Sequence, residues 1–231
     1  MKGQGRGTFY CQGKSKNLRI LLIHLIFIPI GLSIALAYAE PWVKVRWVSD
    51  GDTIVLVDGE RVRYNGINAP EIAHEDQGTT AEPYGDAAKR FNIKLVKSRK
   101  VRLEFDVERR DQYGRLLAYV FLPDGKFVNA ELVAGGYAYY LSGTVNKRYG
   151  QLLLRVQREA MSARRGLWRD LIENAEEYIG NRGSKRFHLK TCPFGKKIKI
   201  KNRVYFANKW DAFWAGYAPA KRCIKISELF R

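Results

Sequence analysis

Three clusters carry side chains suited to phosphate and metal chemistry. Asp50-Gly51-Asp52-Thr53 sets two carboxylates around a glycine. Such a turn lets oxygen atoms converge, and hard cations such as Ca²⁺ take oxygen ligands in flexible geometry. Asp-Gly turns are also common where no ion binds. Arg63 is followed by Asn68-Ala69-Pro70-Glu71. Strand alternation puts Arg61 and Arg63 on one face. Glu71 follows a proline at a strand-to-loop edge, where a carboxylate can point into a cleft and activate water. Taken singly, these are an ordinary surface arginine and glutamate. Asp111-Gln112-Tyr113-Gly114-Arg115 delivers an arginine from a tight turn at the start of a strand. Its planar, permanently charged fork suits phosphate, although a hairpin with a solvated arginine has the same pattern. His188, Cys192 and the distant Cys223 are metal-ligating types, one short of a closed zinc site.

The elements that must hold these groups follow from periodicity. Residues 43–48 alternate apolar and polar, the period of a half-buried strand. Strands are also predicted over 53–57, 61–67, 101–105 and 117–121. Asp58-Gly59 is a two-residue hairpin signal. Helical spacing predicts helices over 86–97, 129–134 and 147–165, the last two stopped by Gly135-Gly136 and Gly166. Short strands with helices between and after them predict a mainly β, α+β fold. It is a five-stranded OB-fold barrel with associated helices, plus a small C-terminal α+β module. In that module 199–205 reads as strand and 210–216 as helix.

The 231 residues are 46% hydrophobic and 28% charged, which excludes a disordered, collagen-like or disulfide-dense chain. The net charge of +18 calls for a polyanionic partner, nucleic acid or an anionic membrane. Its distribution is uneven. Residues 1–39 hold 5 basic and no acidic residues, 40–170 hold 22 and 18, and 171–231 hold 14 and 5. The first 39 residues combine a basic start, an apolar core and Ala37-Tyr38-Ala39, the parts of a signal peptide. An uncleaved anchor is the alternative, because the apolar stretch approaches spanning length. The expected organisation is a signal over 1–39, a barrel domain over 40–170, a linker over 171–177 and a basic module over 178–231. The expected location is secreted or periplasmic, with membrane contact only if the leader is retained. Such a compartment permits a Cys192–Cys223 disulfide.

The order and spacing of the motifs are more specific than any one of them. Val48-Ser49-Asp50-Gly51-Asp52-Thr53-Ile54, Arg63, Ala69-Pro70-Glu71, Tyr84-Gly85, Leu103-Glu104-Phe105-Asp106, Asp111 to Tyr119, Val128-Asn129 and Gly166-Leu167-Trp168 run through about 125 residues. Over roughly 43–169 the chain closely resembles the staphylococcal nuclease (thermonuclease) family. The resemblance implies an OB-fold enzyme that cleaves phosphodiesters in DNA and RNA with Ca²⁺. It implies Arg63 and Arg115 as phosphate-binding arginines and Glu71 as general base. Asp52 and the Ala69 carbonyl are implied as calcium ligands, with Asp50, Thr53 and Tyr113 close by. The second calcium carboxylate of the family falls on Asn68, which keeps an oxygen but loses a charge, so weaker Ca²⁺ binding is expected. Tyr137, with Tyr139 and Tyr140, lies where substrate-stacking tyrosines are expected.

Phe187-His188 through Cys192, Asn202 to Phe206, Ala215-Gly216-Tyr217 and Lys221-Arg222-Cys223 resemble the zinc-binding-type module appended to many bacterial nucleases of this family. That module is similar to the metal-binding domain of an alkylation-repair methyltransferase. Ala220 stands where the pattern has a cysteine. Three readings stay open for His188, Cys192 and Cys223: a Zn²⁺ site, a disulfide, or free thiols. No acidic residue lies between Glu177 and Asp211, a stretch that includes Lys196 and Lys197 and interleaved aromatics. That composition suits phosphate contacts and base stacking, or a merely solvated basic face. The expectation is an exported calcium-dependent nuclease, monomeric, with no protein partner implied. A catalytically impaired nucleic-acid-binding barrel is the alternative.

Overall fold

Alternation predicts which side chains of the first strands turn inward, and a register shift between Val45 and Trp47 breaks that period in the first of them. In the computed structural model, residues 41–73, 80–142, 145–172 and 176–230 are described. The leader expected over 1–39, and the export expectation resting on it, lie outside these residues. β1 (Val43–Val48) buries Val45 and Val48, and β2 (Thr53–Leu56) buries every residue. β3 (Arg61–Tyr64) returns through the Asp58-Gly59 turn. Gly59 closes that turn at φ +90°, a conformation glycine adopts without strain.

β4 (Ile67–Asn68) leads through the Pro70 loop to α1 (Gly85–Val96). β5 (Lys100–Arg110) and β6 (Leu116–Phe121) complete a closed barrel in the order β1-β2-β3-β6-β5. Within the barrel only the β3–β6 pair is parallel. Closure of a sheet on itself removes its open edges. β5 runs five residues past its predicted end at 105, across a register shift between Phe105 and Arg110. The interior is filled by Val45, Ile54, Leu56, Val62, Leu103 and Val120. Helix α1 and α2 (Val128–Ala134) cap it with Ala88, Val96, Leu132 and Val133.

β7 (Tyr139–Tyr140) pairs with β4 and sets Tyr139 opposite Asn68. α3 (Gly150–Ser162) is shorter than the predicted 147–165 because Arg164 and Gly166 take positive φ at its end. The C-terminal segment contains β8 (Tyr178–Asn181), β9 (Arg186–Leu189), α4 (Pro193–Lys196), β10 (Arg203–Phe206), α5 (Lys209–Trp214) and β11 (Ala218–Pro219). Its sheet has the order β10-β8-β9-β11. The strand expected from 199 starts only at Arg203, after a single 3₁₀ turn.

This segment does not have a core to itself. Ala160 and Met161 of α3, with Leu167 and Trp168, join Phe187, Phe213 and Phe230 in one buried cluster. Trp168 and Phe187 meet Phe213 edge-to-face at ring separations of 5.1 and 5.2 Å. Buried Gln157 accepts from the Tyr140 N–H and donates to the Phe213 carbonyl, both at 2.7 Å. Leu171, in the expected linker, is buried and bridged to Phe230. The described residues therefore pack as one compact unit. Among them no helix is long and apolar enough to cross a membrane.

Candidate active site

Arg63 sits on β3 with its side chain only 12% exposed, beside an Asp52 side chain only 8% exposed. Its Nη1 donates to the carbonyls of Tyr64 (2.7 Å) and Ile67 (3.0 Å). Its Nη2 reaches Asn68 Oδ1 and Asp52 Oδ2, each at 3.0 Å. Asp52 Oδ2 also accepts from the Ala69 N–H at 2.6 Å. Asn68 Nδ2 donates to the Ala69 carbonyl and the Tyr139 hydroxyl, each at 3.0 Å. A guanidinium, a carboxylate, an amide, a phenol hydroxyl and four backbone groups thus form one network.

The turn at Asp50 makes this convergence fit. A Cβ on Gly51 would lie 2.5 Å from the Ala69 Cβ and 2.7 Å from the Ala88 Cβ, so only glycine allows so close an approach. The Asp50 carboxylate accepts from the Asp52 N–H at 2.9 Å. Burial pushes the Asp52 carboxyl up to about 7; the Arg63 charge opposes this, Asp50 and Glu71 add to it, and the Ala69 N–H opposes it. Oxygen donors of Asp52, Asn68 and Ala69 lie in one hydrogen-bonded cluster, around a carboxylate that burial disfavours. Hard cations take such oxygen donors, and here Arg63 holds the Asp52 and Asn68 oxygens while Asn68 holds the Ala69 carbonyl.

Glu71 follows Pro70 in the loop. Its N–H donates to Glu82 Oε2 at 2.8 Å, and its carbonyl accepts from the Glu82 N–H at 2.9 Å. Gly85 lies so close that a Cβ there would collide with the Glu71 carbonyl. Burial raises the Glu82 carboxyl above its usual range, opposed by the Glu71 N–H and Lys221 and aided by the Glu71 charge. The Glu71 carboxylate itself pairs with Lys221 of the C-terminal segment at 2.9 Å.

Arg115 is aimed by its own turn. Asp111 Oδ2 accepts from Arg115 Nε at 2.8 Å, while Oδ1 accepts from the N–H groups of Tyr113 and Arg115. Burial works to raise the Asp111 carboxyl, but Arg115 and these N–H groups hold it below its usual range. The Arg115 guanidinium lies 5.6 Å from the centre of the Tyr113 ring, which is 74% exposed. Arg63, Arg115, Tyr113 and Leu141 line a cleft of about 420 Å³.

The structure thus joins Asp52, Arg63, Asn68 and Ala69 in one network, of which Arg63 lines the cleft together with Arg115 and Tyr113; Glu71 does not line it. Tyr137 is not brought there. Its ring stacks on Phe91 at 4.4 Å and packs against the barrel core. Tyr139, its neighbour but one, touches Asn68 instead. Lys196 and Lys197 are exposed around the end of α4, and neither lines this cleft. His188, Cys192 and Cys223 come together. The two sulfurs are at bonding distance, and His188 Nδ1 lies 3.4 Å from Cys223 Sγ and 3.8 Å from Cys192 Sγ. Lys221 was not among the sequence candidates. It lies 150 positions from Glu71, and no local pattern reports such a contact.

Comparison with known proteins adds a family. Residues 61–170 match the family described as staphylococcal nuclease homologue. A thermonuclease of Staphylococcus intermedius is 41% identical over 127 residues, which are 54% of this chain and 74% of that protein. Endonuclease YncB of Bacillus subtilis is 40% identical over 140 residues, 58% of this chain and 62% of that protein. Endonuclease YhcR of Bacillus subtilis is 30% identical over 196 residues, 74% of this chain but 16% of that longer protein.

Proposed function

The chain belongs to the staphylococcal nuclease homologue family, and on that premise we propose that it is an exported, calcium-dependent nuclease whose C-terminal segment grips nucleic acid. Hydrolysis of phosphodiester bonds follows from the family and from its thermonuclease and endonuclease relatives. The observation that carries the assignment of residues is the pairing of Arg63 with Asp52 and Asn68 beside a cleft that also holds Arg115.

In this reading Arg63 and Arg115 clamp the phosphate and stabilise the negative charge that grows in the transition state. Glu71 orients an attacking water and takes its proton. Tyr113 offers a face to the neighbouring base. Asp52, Asn68 and the Ala69 carbonyl are the residues that would hold Ca²⁺, and the ion would supply Lewis-acid charge for the phosphate chemistry. The test is digestion of plasmid DNA and single-stranded RNA with Ca²⁺ and with chelator, by the mature chain and by Glu71→Gln. Calcium-dependent cleavage by the first and at least a hundredfold slower cleavage by the second is expected, in line with a general-base contribution of roughly 10²–10⁴. Full activity in Glu71→Gln would remove the base role.

Asn68 supports a second reading, a nucleic-acid-binding protein with impaired catalysis. Its amide stands where the family resemblance places a carboxylate, and three hydrogen bonds already engage it. Cleavage gained only on Asn68→Asp would favour that reading. Export rests on the leader-like residues 1–39. The His188, Cys192 and Cys223 cluster, in a segment resembling a zinc-binding-type module, is compatible with Zn²⁺ or with a disulfide. Thiol titration with and without a zinc chelator distinguishes them.

A further inference from the structure

A second cavity, of about 400 Å³, adjoins the first and is walled by the C-terminal segment. Leu141 lines both. Ile67 faces the first and Asn68, the next residue, faces the second. The far wall carries Arg186, Lys221, Arg222 and Phe194, and no carboxylate stands among its described lining residues. Its size falls in the roughly 300–1,000 Å³ range of ligand pockets.

Among the described residues Lys221 pairs with Glu71, outside the cavity lining, while Arg186 and Arg222 have no carboxylate partner. Arg186 Nη1 donates to the carbonyls of Ser142, Ser184 and Lys185 at 2.5, 3.1 and 3.3 Å. The Arg222 guanidinium lies 5.5 Å from the centre of the Phe194 ring, and that ring is 44% exposed. Lys221 reaches out of the cavity to Glu71. An arginine fork, an ammonium and an open aromatic face are what a nucleotide needs: contacts for phosphate and a platform for a base.

We infer that this cavity is a second nucleotide subsite, which receives the residue of the strand next to the scissile phosphate on the side away from Tyr113. The inference rests on the nuclease reading of the first cleft. A strand phosphate entering here exchanges with the Glu71 carboxylate as the partner of Lys221. Occupancy of the subsite thereby releases Glu71 toward its water. The C-terminal segment is then part of the substrate path rather than a detached grip.

The test is fluorescence anisotropy of labelled (dT)₂ and (dT)₈ with the full chain in chelator, so that binding is read whether or not the protein cleaves. Phe194 and Arg222 are exposed, so Phe194→Ala, Arg222→Ala and the pair should fold as the parent does. Loss of one base stack is expected to weaken binding by at least about fivefold. In the double variant, the gain in affinity from (dT)₂ to (dT)₈ should shrink by about tenfold or more. An unchanged gain overturns the subsite. So does a poly-glutamate peptide that displaces (dT)₈ as well as unlabelled (dT)₈ does, with Phe194→Ala silent, because the wall is then a general anion surface. If the parent chain binds with this length dependence but does not cleave in Ca²⁺, the nuclease reading fails and the subsite stands.

Discussion

Arg63 Nη2 lies 3.0 Å from Asp52 Oδ2 and equally far from Asn68 Oδ1, so one guanidinium ties the β2 and β4 ends of the site together. Lysine can supply the charge but not a planar fork that serves four acceptors at once. Arg63→Lys should therefore lower kcat/KM by about a hundredfold or more, the usual loss for one transition-state donor. Steady-state cleavage assays check this, and a thermal melt should show the variant less stable.

Asn68→Asp adds a carboxylate to the proposed calcium ligands. The calcium concentration for half-maximal cleavage should fall by about tenfold or more, because affinity follows ligand charge. The new side chain cannot donate to the Ala69 carbonyl or the Tyr139 hydroxyl, as Asn68 does. A small loss of stability, about 1 kcal/mol per hydrogen bond, should accompany the gain. Calorimetric titration with Ca²⁺ reads the first effect and melting without metal the second.

Asp106 anchors the start of α3 to β5. Its Oδ2 accepts from the N–H groups of Lys147 and Arg148 at 2.8 and 2.9 Å. Burial works to raise its carboxyl, but these N–H groups, with that of Val107 and the Tyr119 hydroxyl, hold it below the usual range. A lowered folded value means that the anchor stabilises fully above the unfolded carboxyl pKa of about 4 and is lost as pH falls through the folded value. Asp106→Asn should melt a few degrees lower than the parent at pH 7. The gap should close as both are acidified through the folded value, below the usual carboxylate range.

The basic charge of the C-terminal segment cannot be probed by cutting it off. Phe213 and Phe230 share a core with Trp168 and α3, so truncation at 178 should unfold part of the molecule. Phe213→Ala alone should cost about 3–5 kcal/mol, read by denaturant unfolding. Lys196→Glu with Lys197→Glu leaves the core intact, since both side chains are exposed. If both touch phosphate, the slope of log affinity against log salt should fall by about 2 on duplex DNA. An unchanged slope would show that neither does.

Much of the barrel was legible in the sequence. Alternation over 43–48, the Asp58-Gly59 turn and the helical spacing of 86–97 each report contacts within a few residues, which a local pattern can encode. The elements that missed were set by partners elsewhere. β5 outruns its predicted end along β6, and α3 stops early where Arg164 and Gly166 turn left-handed. The Asp50 turn, Arg63 and Asn68-Ala69-Pro70-Glu71 each have an ordinary surface reading, and only the order of motifs that resembles the family named them together as a site.

By itself, then, the sequence offered residues whose types suit phosphate and cation chemistry, brought together by the family resemblance of their order, and its pattern of short strands and helices predicted a small barrel. Side-chain type and short-range periodicity reach that far. Tertiary structure alone decided that Tyr137 stacks on Phe91, that Tyr139 meets Asn68, and that the basic C-terminal segment is fused to the barrel through Trp168 and Phe213. It also decided that Lys221 pairs with Glu71, 150 positions away. Such contacts arise from the closing of a shared core, and no period or motif along the chain records them.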